Sequence, residues 1–389
     1  MTTHKSAPGC NRIIGLFPEL LGVGGIQEAG RMTAAALKEI ALRDGSSAEC
    51  LSLNDPPGSH AFEFEGRTIS LRGSGRAKMS FVLSAIRRAR LTAKGGALVI
   101  LAAHPNLAVP GTWMQQILRG TKSIVMTHGI EVWKPLQPIR RRALLRANLV
   151  LGPSRDTVQR LIHVQGVAPE KTRRLPWPLS PAFLSAADAA SGLSTPRGFP
   201  QEGLVILTVG RWASSERYKG ADKLIGTLPQ LRATFPSLNL VAVGGGDDLP
   251  RLRELAIGLG VADCVRFLEN LSREEVAACY ARADLFALPS TGEGFGLVFL
   301  EAMAFSKAVV GVACGGTTDV VEDGINGLLV PPENECVLAE ALARLLHDDT
   351  LRSQLGRRGA EIVRRKYRFD VFQSELETIL REVGPSVLR

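Results

Sequence analysis

Short runs of aliphatic residues recur through this chain, each bounded by glycine or polar residues and separated from the next by stretches with helical period. The runs are continuously apolar rather than alternating, the signature of strands covered on both faces and therefore of parallel sheets sandwiched between helices. In the first half they fall at Arg12 to Phe17, Ala97 to Ala102, Ser123 to Thr127 and Leu149 to Leu151, with a helix predicted from Ile26 to about Leu42. In the second half they fall at Val205 to Val209, Leu238 to Val243, Val265 to Phe267, Leu285 to Leu288, Ala308 to Gly311 and Gly327 to Val330. The clearest helical intervals there are Leu249 to Leu259, Arg273 to Arg282, Leu297 to Ala304 and Cys336 to Leu346. Between the two series, Leu175 to Pro200 contains Pro176, Pro178, Pro181 and Pro196, ends on a fifth proline, and holds the small-residue run Ser185 to Gly192, a composition that reads as a linker.

A chain of 389 residues outgrows one hydrophobic core, so two α/β domains are expected, 1–188 and 189–367. A final helix within 368–389, near Val371 to Val383, is expected to lie back across the first domain. Six cysteines, Cys10, Cys50, Cys264, Cys279, Cys314 and Cys336, form no Cys-x-x-Cys pair. That spacing points to neither a disulfide framework nor a zinc site and suits a reducing cytoplasm. The polar opening from Met1 to Asn11 lacks the apolar stretch of a signal sequence, and no later run approaches membrane-spanning length.

Charge is unevenly divided. Residues 1–188 carry 25 Lys and Arg against 12 Asp and Glu, a net +13, while 189–389 carry 22 against 26, a net −4. Much of the excess lies in Arg72, Arg76, Lys78, Arg87, Arg88, Arg90 and Lys94, and again in Arg140, Arg141, Arg142 and Arg146. Such runs are commonly solvated helix faces. The alternative is that the first domain meets an anionic partner, a lipid surface or a pyrophosphate-linked acceptor, at about 1 kcal/mol per nearby base. Nucleic acid is not expected, because no aromatic residues interleave with the basic stretches and no recognition motif accompanies them.

In open parallel sheets ligands bind outside the carboxyl ends of the strands. Those ends carry Gly22-Val23-Gly24-Gly25, then His104 and Asn106, then Thr127-His128-Gly129 in the first half. In the second half they carry Val209-Gly210-Arg211, Gly244-Gly245-Gly246 and, after Leu288, Glu293-Gly294-Phe295-Gly296. Arg211 and Lys219 follow one strand end, where two cations can neutralise a diphosphate and the charge that grows on a departing phosphate. The glycines before Leu297 allow a close backbone approach, and the helix from Leu297 aims free amides at the same anion. Glu293 and Glu301 lie eight residues apart, roughly 12 Å or less along a helical path, which matches the sugar-to-ribose span of a folded nucleotide-sugar.

These pieces, with Tyr218-Lys219-Gly220, Ala283 to Ser290, Phe299-Leu300-Glu301-Ala302 and Gly324 to Leu329, resemble the family-4 retaining glycosyltransferases that use nucleotide-sugars. The resemblance covers nearly the whole second domain; in the first it rests on Gly22 to Ile26 and His128-Gly129. It implies a GT-B fold, two Rossmann-like parallel-sheet domains facing across a cleft, with the acceptor on the first and the donor on the second. It assigns catalysis to His128, Arg211, Lys219 and Glu293, and donor binding to Gly24, Gly25, Gly294, Phe295, Gly296, Leu297, Val298 and Glu301. By the same resemblance Glu293 meets the donor-sugar hydroxyls, Glu301 the ribose diol, and His128 the sugar near the reacting centre. His104 and Asn106 are acceptor-side candidates.

No Asp-x-Asp occurs and no His, Asp or Glu cluster has metal spacing, so no metal and no cofactor is expected, with leaving-group charge met by Arg211, Lys219 and helix amides. The implied reaction moves a hexose, from GDP-mannose or else a UDP-sugar, to a saccharide or lipid-linked acceptor in polysaccharide or glycolipid assembly, at the cytoplasmic face of the plasma membrane. Two features depart from the family pattern: the long interval between Arg211 and Lys219, and Pro176-Trp177-Pro178-Leu179 where an Asn-Gly turn is usual. A nicotinamide dehydrogenase is disfavoured, since Gln27 and Leu249 occupy the third-glycine positions of the two glycine motifs. A noncatalytic nucleotide-sugar-binding relative of the same fold stays open.

Overall fold

The computed structural model describes residues 12–92, 98–118 and 120–384. Contacts divide it into two units: one comprises the residues up to Pro178 together with those from Phe369, and the other comprises Leu179–Arg368. The stretch read from composition as a linker is helical in part. Residues Pro181–Asp188 form a helix, and Phe183 is buried edge-on against Tyr280 and Phe305. Proline suits the first helical turn, and an apolar ring on a short helix gains more from burial than from exposure, about 1.5–3 kcal/mol for such a side chain.

The first unit is built on eight strands: β1 (Arg12–Phe17), β2 (Ser47–Ser52), β3 (Gly58–Phe64), β4 (Arg67–Gly73), β5 (Leu98–Ala102), β6 (Lys122–Met126), β7 (Leu149–Gly152) and β8 (Thr172–Arg174). Their order is β3-β4-β2-β1-β5-β6-β7-β8. All neighbours are parallel except the hairpin pair β3 and β4. Strands β2, β3, β4 and β8 are additional to those expected from sequence. In β3 most residues are exposed or half-buried, so that strand shows no apolar run. The helix Gly25–Arg43 buries Ala29, Met32, Ala36, Leu37 and Ile40 along one face at helical spacing. The closing helix Phe369–Val383 belongs to this unit, burying Phe372, Leu376, Ile379 and Leu380. Its polar face meets the first helix through Gln373 to Glu39 and Arg381 to Asp44.

The second unit has six parallel strands: β9 (Val205–Val209), β10 (Asn239–Val243), β11 (Val265–Leu268), β12 (Leu285–Leu288), β13 (Ala308–Val312) and β14 (Gly327–Val330). Their order is β11-β10-β9-β12-β13-β14. All six coincide with the apolar runs to within a residue or so. Each helical interval named above is helical, and a further helix, Asp349–Lys366, follows them. Strand β12 is wholly buried, Leu285 to Leu288, which is why it reads as a run without alternation.

Chain order reverses direction between β1 and β5 in the first sheet and between β9 and β12 in the second. At such switch points the connections leave on opposite faces of the sheet and open a crevice at the strand ends. His104 follows β5 there, while Arg211 and Glu293 follow β9 and β12. Among the described residues no helix is long and apolar enough to cross a membrane. The exposed basic residues include Arg72, Arg76, Lys78, Arg87, Arg90, Arg141, Arg142 and Arg146, while Arg88 is paired with Glu49; Lys94 lies outside the described residues.

Candidate functional site

In the second unit the loop after β9 carries the cations. Its base is locked to the neighbouring strand end: the Trp212 amide donates to the Gly245 carbonyl at 2.9 Å, and the Asp248 amide to the Trp212 carbonyl at 2.9 Å. Ser214 donates through both its amide and its hydroxyl to Asp247, at 2.8 and 2.6 Å. Arg217 and Arg251 both grip Asp248, whose carboxyl is nearly buried, and the Arg251 hydrogen bond is the main cause holding it below the usual carboxylate range. Residues Ser214–Lys219 then wind as a short 3₁₀ turn that ends at Gly220.

That turn delivers Lys219 to Glu293, Nζ to Oε1 at 3.3 Å, with both side chains largely sheltered from solvent. The two residues are 74 positions apart in the chain, brought together by the adjacency of β9 and β12. The Thr291 amide donates to the Tyr218 carbonyl at 2.9 Å and ties the two loops at a second point. Arg211 behaves differently: it is exposed and its guanidinium is paired with Glu216 of its own loop. Of the two expected cations, then, one already sits against the expected catalytic carboxylate and the other is held five residues along by a neighbour.

The glycine loop after β12 is a backbone device. Gly296 takes a left-handed conformation, φ 94°, and caps the helix Leu297–Ala304 without any side-chain hydrogen bond. A side chain is disfavoured at that φ, and the absent side-chain cap leaves the first-turn amides for other acceptors. The Gly316 amide donates to the Glu293 carbonyl at 2.7 Å, and a Cβ on Gly316 would stand 2.3 Å from the Gly294 oxygen, so two backbones pass in contact here. Phe295 turns its ring away into the core against Tyr367, which leaves only its backbone for a ligand. Leu297 and Val298 are half-buried in the helix's first turn.

Glu301, one turn further on, accepts a hydrogen bond from the Tyr280 hydroxyl at 2.8 Å, and the same hydroxyl reaches the Val298 carbonyl at 3.4 Å. Tyr280 is fully buried, and that burial, with Glu301 beside it, pushes its phenol well up from its ordinary value. The phenol therefore stays protonated and acts as a donor. Nothing in the sequence marked it: a lone tyrosine within a helix 21 residues before Glu301 has no distinguishing pattern.

In the first unit, the glycine-rich turn precedes the helix Gly25–Arg43. Gly24 sits at φ 142° at its start, no side chain caps the helix, and space around the Gly25 Cβ position is open. Arg31 fastens the turn by donating to the Leu20 and Gly22 carbonyls at 2.9 and 2.8 Å. His128, after β6, donates from Nε2 to the Ala103 carbonyl at 2.8 Å, while its own amide donates to Glu131 at 2.5 Å. A ring nitrogen facing a carbonyl must carry the proton, so Nδ1 of neutral His128 is an acceptor. His104 is the converse: its Nδ1 accepts from the Asn106 amide at 3.1 Å, which places the proton on Nε2. Burial, the larger cause, with His128 and Arg140 nearby, lowers the His104 pKa to about 4 despite Glu131, so the ring is neutral at physiological pH. The two rings stack 5.7 Å apart, and Asn106 itself is exposed. Among the described residues no group of three or more metal-ligating side chains is assembled.

The profile described as "Glycosyl transferases group 1" matches residues 194–362. A phosphatidyl-myo-inositol mannosyltransferase of Mycobacterium leprae is 31% identical over 332 residues, 82% of this chain and 83% of the relative. A GDP-mannose-dependent alpha-(1-6)-phosphatidylinositol monomannoside mannosyltransferase of Mycobacterium tuberculosis is 31% identical over 279 residues, 67% and 70% of the two chains. A D-inositol 3-phosphate glycosyltransferase of Salinispora arenicola is 42% identical over 167 residues, only 41% of this chain and 37% of that relative. Among solved structures, sucrose-phosphate synthase from Thermosynechococcus elongatus superposes with TM-score 0.74 at 21% identity, covering 96% of this chain and 99% of the other. Anabaena HepE in complex with UDP-glucose superposes with TM-score 0.71 at 20% identity, covering 96% and 100%. These likenesses establish the GT-B architecture.

Proposed function

The chain belongs to the group 1 glycosyltransferases, and from that premise we propose that it moves a hexose from a nucleotide-diphosphate sugar, GDP-mannose before UDP-sugars, to a saccharide or lipid-linked acceptor. One observation carries the reading: Lys219 and Glu293 meet at 3.3 Å at the switch point of the second sheet, beside the uncapped helix Leu297–Ala304. A cation, a carboxylate and free helix amides at one strand end answer the diphosphate and the sugar hydroxyls of such a donor. The preference for GDP-mannose draws on the names of the mycobacterial relatives.

In this reading the second unit holds the donor. Lys219, Arg211 and the amides at Gly296 to Val298 neutralise the diphosphate, most of all as charge grows on the leaving oxygen. Glu293 binds sugar hydroxyls, and Glu301, oriented by Tyr280, binds the ribose diol. Arg211 must leave Glu216 to reach a phosphate, a local exchange of one carboxylate for another anion. The first unit supplies His128, whose Nδ1 accepts a proton from a sugar hydroxyl in a hydrogen bond, and the turn at Gly24 and Gly25; His104 and Asn106 serve the acceptor. The anomeric configuration is retained: the acceptor oxygen bonds to C1 on the face from which the C1–O bond to phosphate breaks, and its proton passes to the departing phosphate oxygen. No metal takes part. The +13 first half supports an acceptor or membrane surface of negative charge, with the enzyme peripheral on the cytoplasmic leaflet and active in polysaccharide or glycolipid assembly.

The test is a thermal-shift series with guanosine, uridine and adenosine diphosphates, followed by transfer assays with the stabilising donor, with and without EDTA, and anomeric analysis of the product. A bound nucleotide stabilises by about 2.7 kcal/mol at a hundredfold excess over its dissociation constant. Stabilisation by one nucleotide, EDTA-insensitive transfer and a retained anomer support the reading. Binding with neither transfer nor donor hydrolysis would leave the noncatalytic relative in its place.

A further inference from the structure

Trp177 has no part in the chemistry above, and it stands where the sequence departs from its family, between Pro176 and Pro178 just past β8. Two prolines fix its neighbouring backbone angles and bias the residues before them to extended conformations, so the direction in which the indole leaves the chain is set locally. The adjacent Leu175 amide anchors the segment to the Gly152 carbonyl at the end of β7, at 2.9 Å. Trp177 is buried, 3% exposed, although it lies in a stretch whose composition reads as linker.

Its ring lies 5.2 Å from that of His128 at an interplanar angle of 13°, closer and more nearly parallel than His104 at 5.7 Å and 29°. Behind the indole, Phe372 of the helix Phe369–Val383 packs at 5.9 Å. An imidazole is free to tilt about its side-chain torsions unless something flat holds it. Stacking resists tilt, and the hydrogen bond from Nε2 to the Ala103 carbonyl resists rotation and fixes the tautomer. Together they aim an Nδ1 that has no protein partner among the described residues.

We propose that Trp177 is a positioning residue for His128: its indole holds the imidazole plane at the angle from which Nδ1 meets a substrate hydroxyl. This rests on the role given to His128 above. Phe372 and the proline-flanked backbone back the indole from the other side. The closing helix thus bears, through one aromatic contact, on the geometry of a transferase side chain.

The experiment combines steady-state kinetics with nitrogen-15 histidine spectra of the full-length protein. Trp177→Leu keeps an apolar side chain and removes the flat face, Trp177→Phe keeps a ring, and each is made alone and with His128→Ala. The leucine change is expected to lower kcat about tenfold, with nucleotide-diphosphate affinity unchanged, and the phenylalanine change about twofold or less. In the His128→Ala background the leucine change should cost less than about twofold, since there is no imidazole left to aim. In wild type the His128 ring nitrogens should give sharp signals, and in the leucine variant signals broadened by exchange as the ring tilts and its bond to the Ala103 carbonyl opens. Trp177→Met, longer and still apolar, serves the same comparison if the leucine variant does not fold. An equal loss in both backgrounds, or an unaltered His128 spectrum alongside a loss of rate, overturns the proposal. Wild-type rates for His128→Ala alone would instead remove the role of His128 on which it rests.

Discussion

The two units place polar groups at equivalent points of similar sheets and hold them by opposite means. At the β9 and β12 ends the groups are ions: Lys219 with Glu293, Arg211 with Glu216, and Asp248 between Arg217 and Arg251. At the β5 and β6 ends they are two stacked imidazoles, each with one nitrogen occupied by a backbone group, and one of them kept neutral by burial. A ligand that brings its own negative charge needs mobile countercharge, which ion pairs can release by exchange. A hydroxyl needs a directed donor or acceptor, and rings clamped by stacking provide it without desolvating a charge. On the proposed function, binding strength resides in the second unit and orientation in the first.

Removing the carboxylate at the centre of the ionic cluster should do the most harm. Glu293→Ala is expected to lower transfer about a thousandfold while nucleotide affinity, measured by calorimetry, holds. Loss of nucleotide binding in that variant would instead make Glu293 the residue that holds Lys219 in place for the phosphates. His128→Ala should cost about a hundredfold in kcat and again leave nucleotide affinity alone, which is the sharpest way to separate the two units. Lys219→Ala and Arg211→Ala should weaken transfer and nucleotide binding together, each by about tenfold, and flatten the dependence of binding on salt. If affinity for nucleoside diphosphate survives the arginine change, Arg211 stays with Glu216 throughout.

Smaller effects test the supports. Tyr280→Phe removes the donor to Glu301 and should cost about 1 kcal/mol of folding stability, with severalfold weaker nucleotide binding. The His104 pKa falls on folding, from 6.5 to about 4. The unfolded chain then takes up a proton that the folded chain refuses, so stability is full above pH 6.5 and is lost as pH drops toward 4. Glu131, His128 and Arg140 all face this ring, and Glu131 opposes the shift. His104→Gln should make thermal melts flatter across that window, and an unchanged slope would assign the acid sensitivity to other groups.

How much of this could be read beforehand differed between the units for a physical reason. Fully buried parallel strands such as β12 write themselves as unbroken apolar runs, and all six of the second unit could be located that way. Strand β3 alternates exposed and half-buried residues in a hairpin, and β8 is three residues long with none buried, so neither leaves a run. The helix Pro181–Asp188 hid within a composition of proline and small residues because a single ring, Phe183, anchors it. Of the candidate site residues, Arg211, Lys219, Glu293 and Glu301 are proposed from spacing and family resemblance. Tyr280, Glu216 and Trp177 could not be, since a tyrosine, a glutamate and a tryptophan have meaning here only through what they touch.

Sequence alone determined the strand inventory of the second unit, the glycines that bring backbones together, and the residue types stationed after each strand. Local pattern suffices for these because apolar periodicity and allowed backbone angles are properties of neighbours in the chain. The tertiary structure decided partners: that Lys219 reaches a glutamate 74 positions away, that Arg211 turns to Glu216, and that Trp177 lies flat on His128. Such pairings depend on strand order and on where loops cross, and the energy that selects them is shared among contacts distant in sequence.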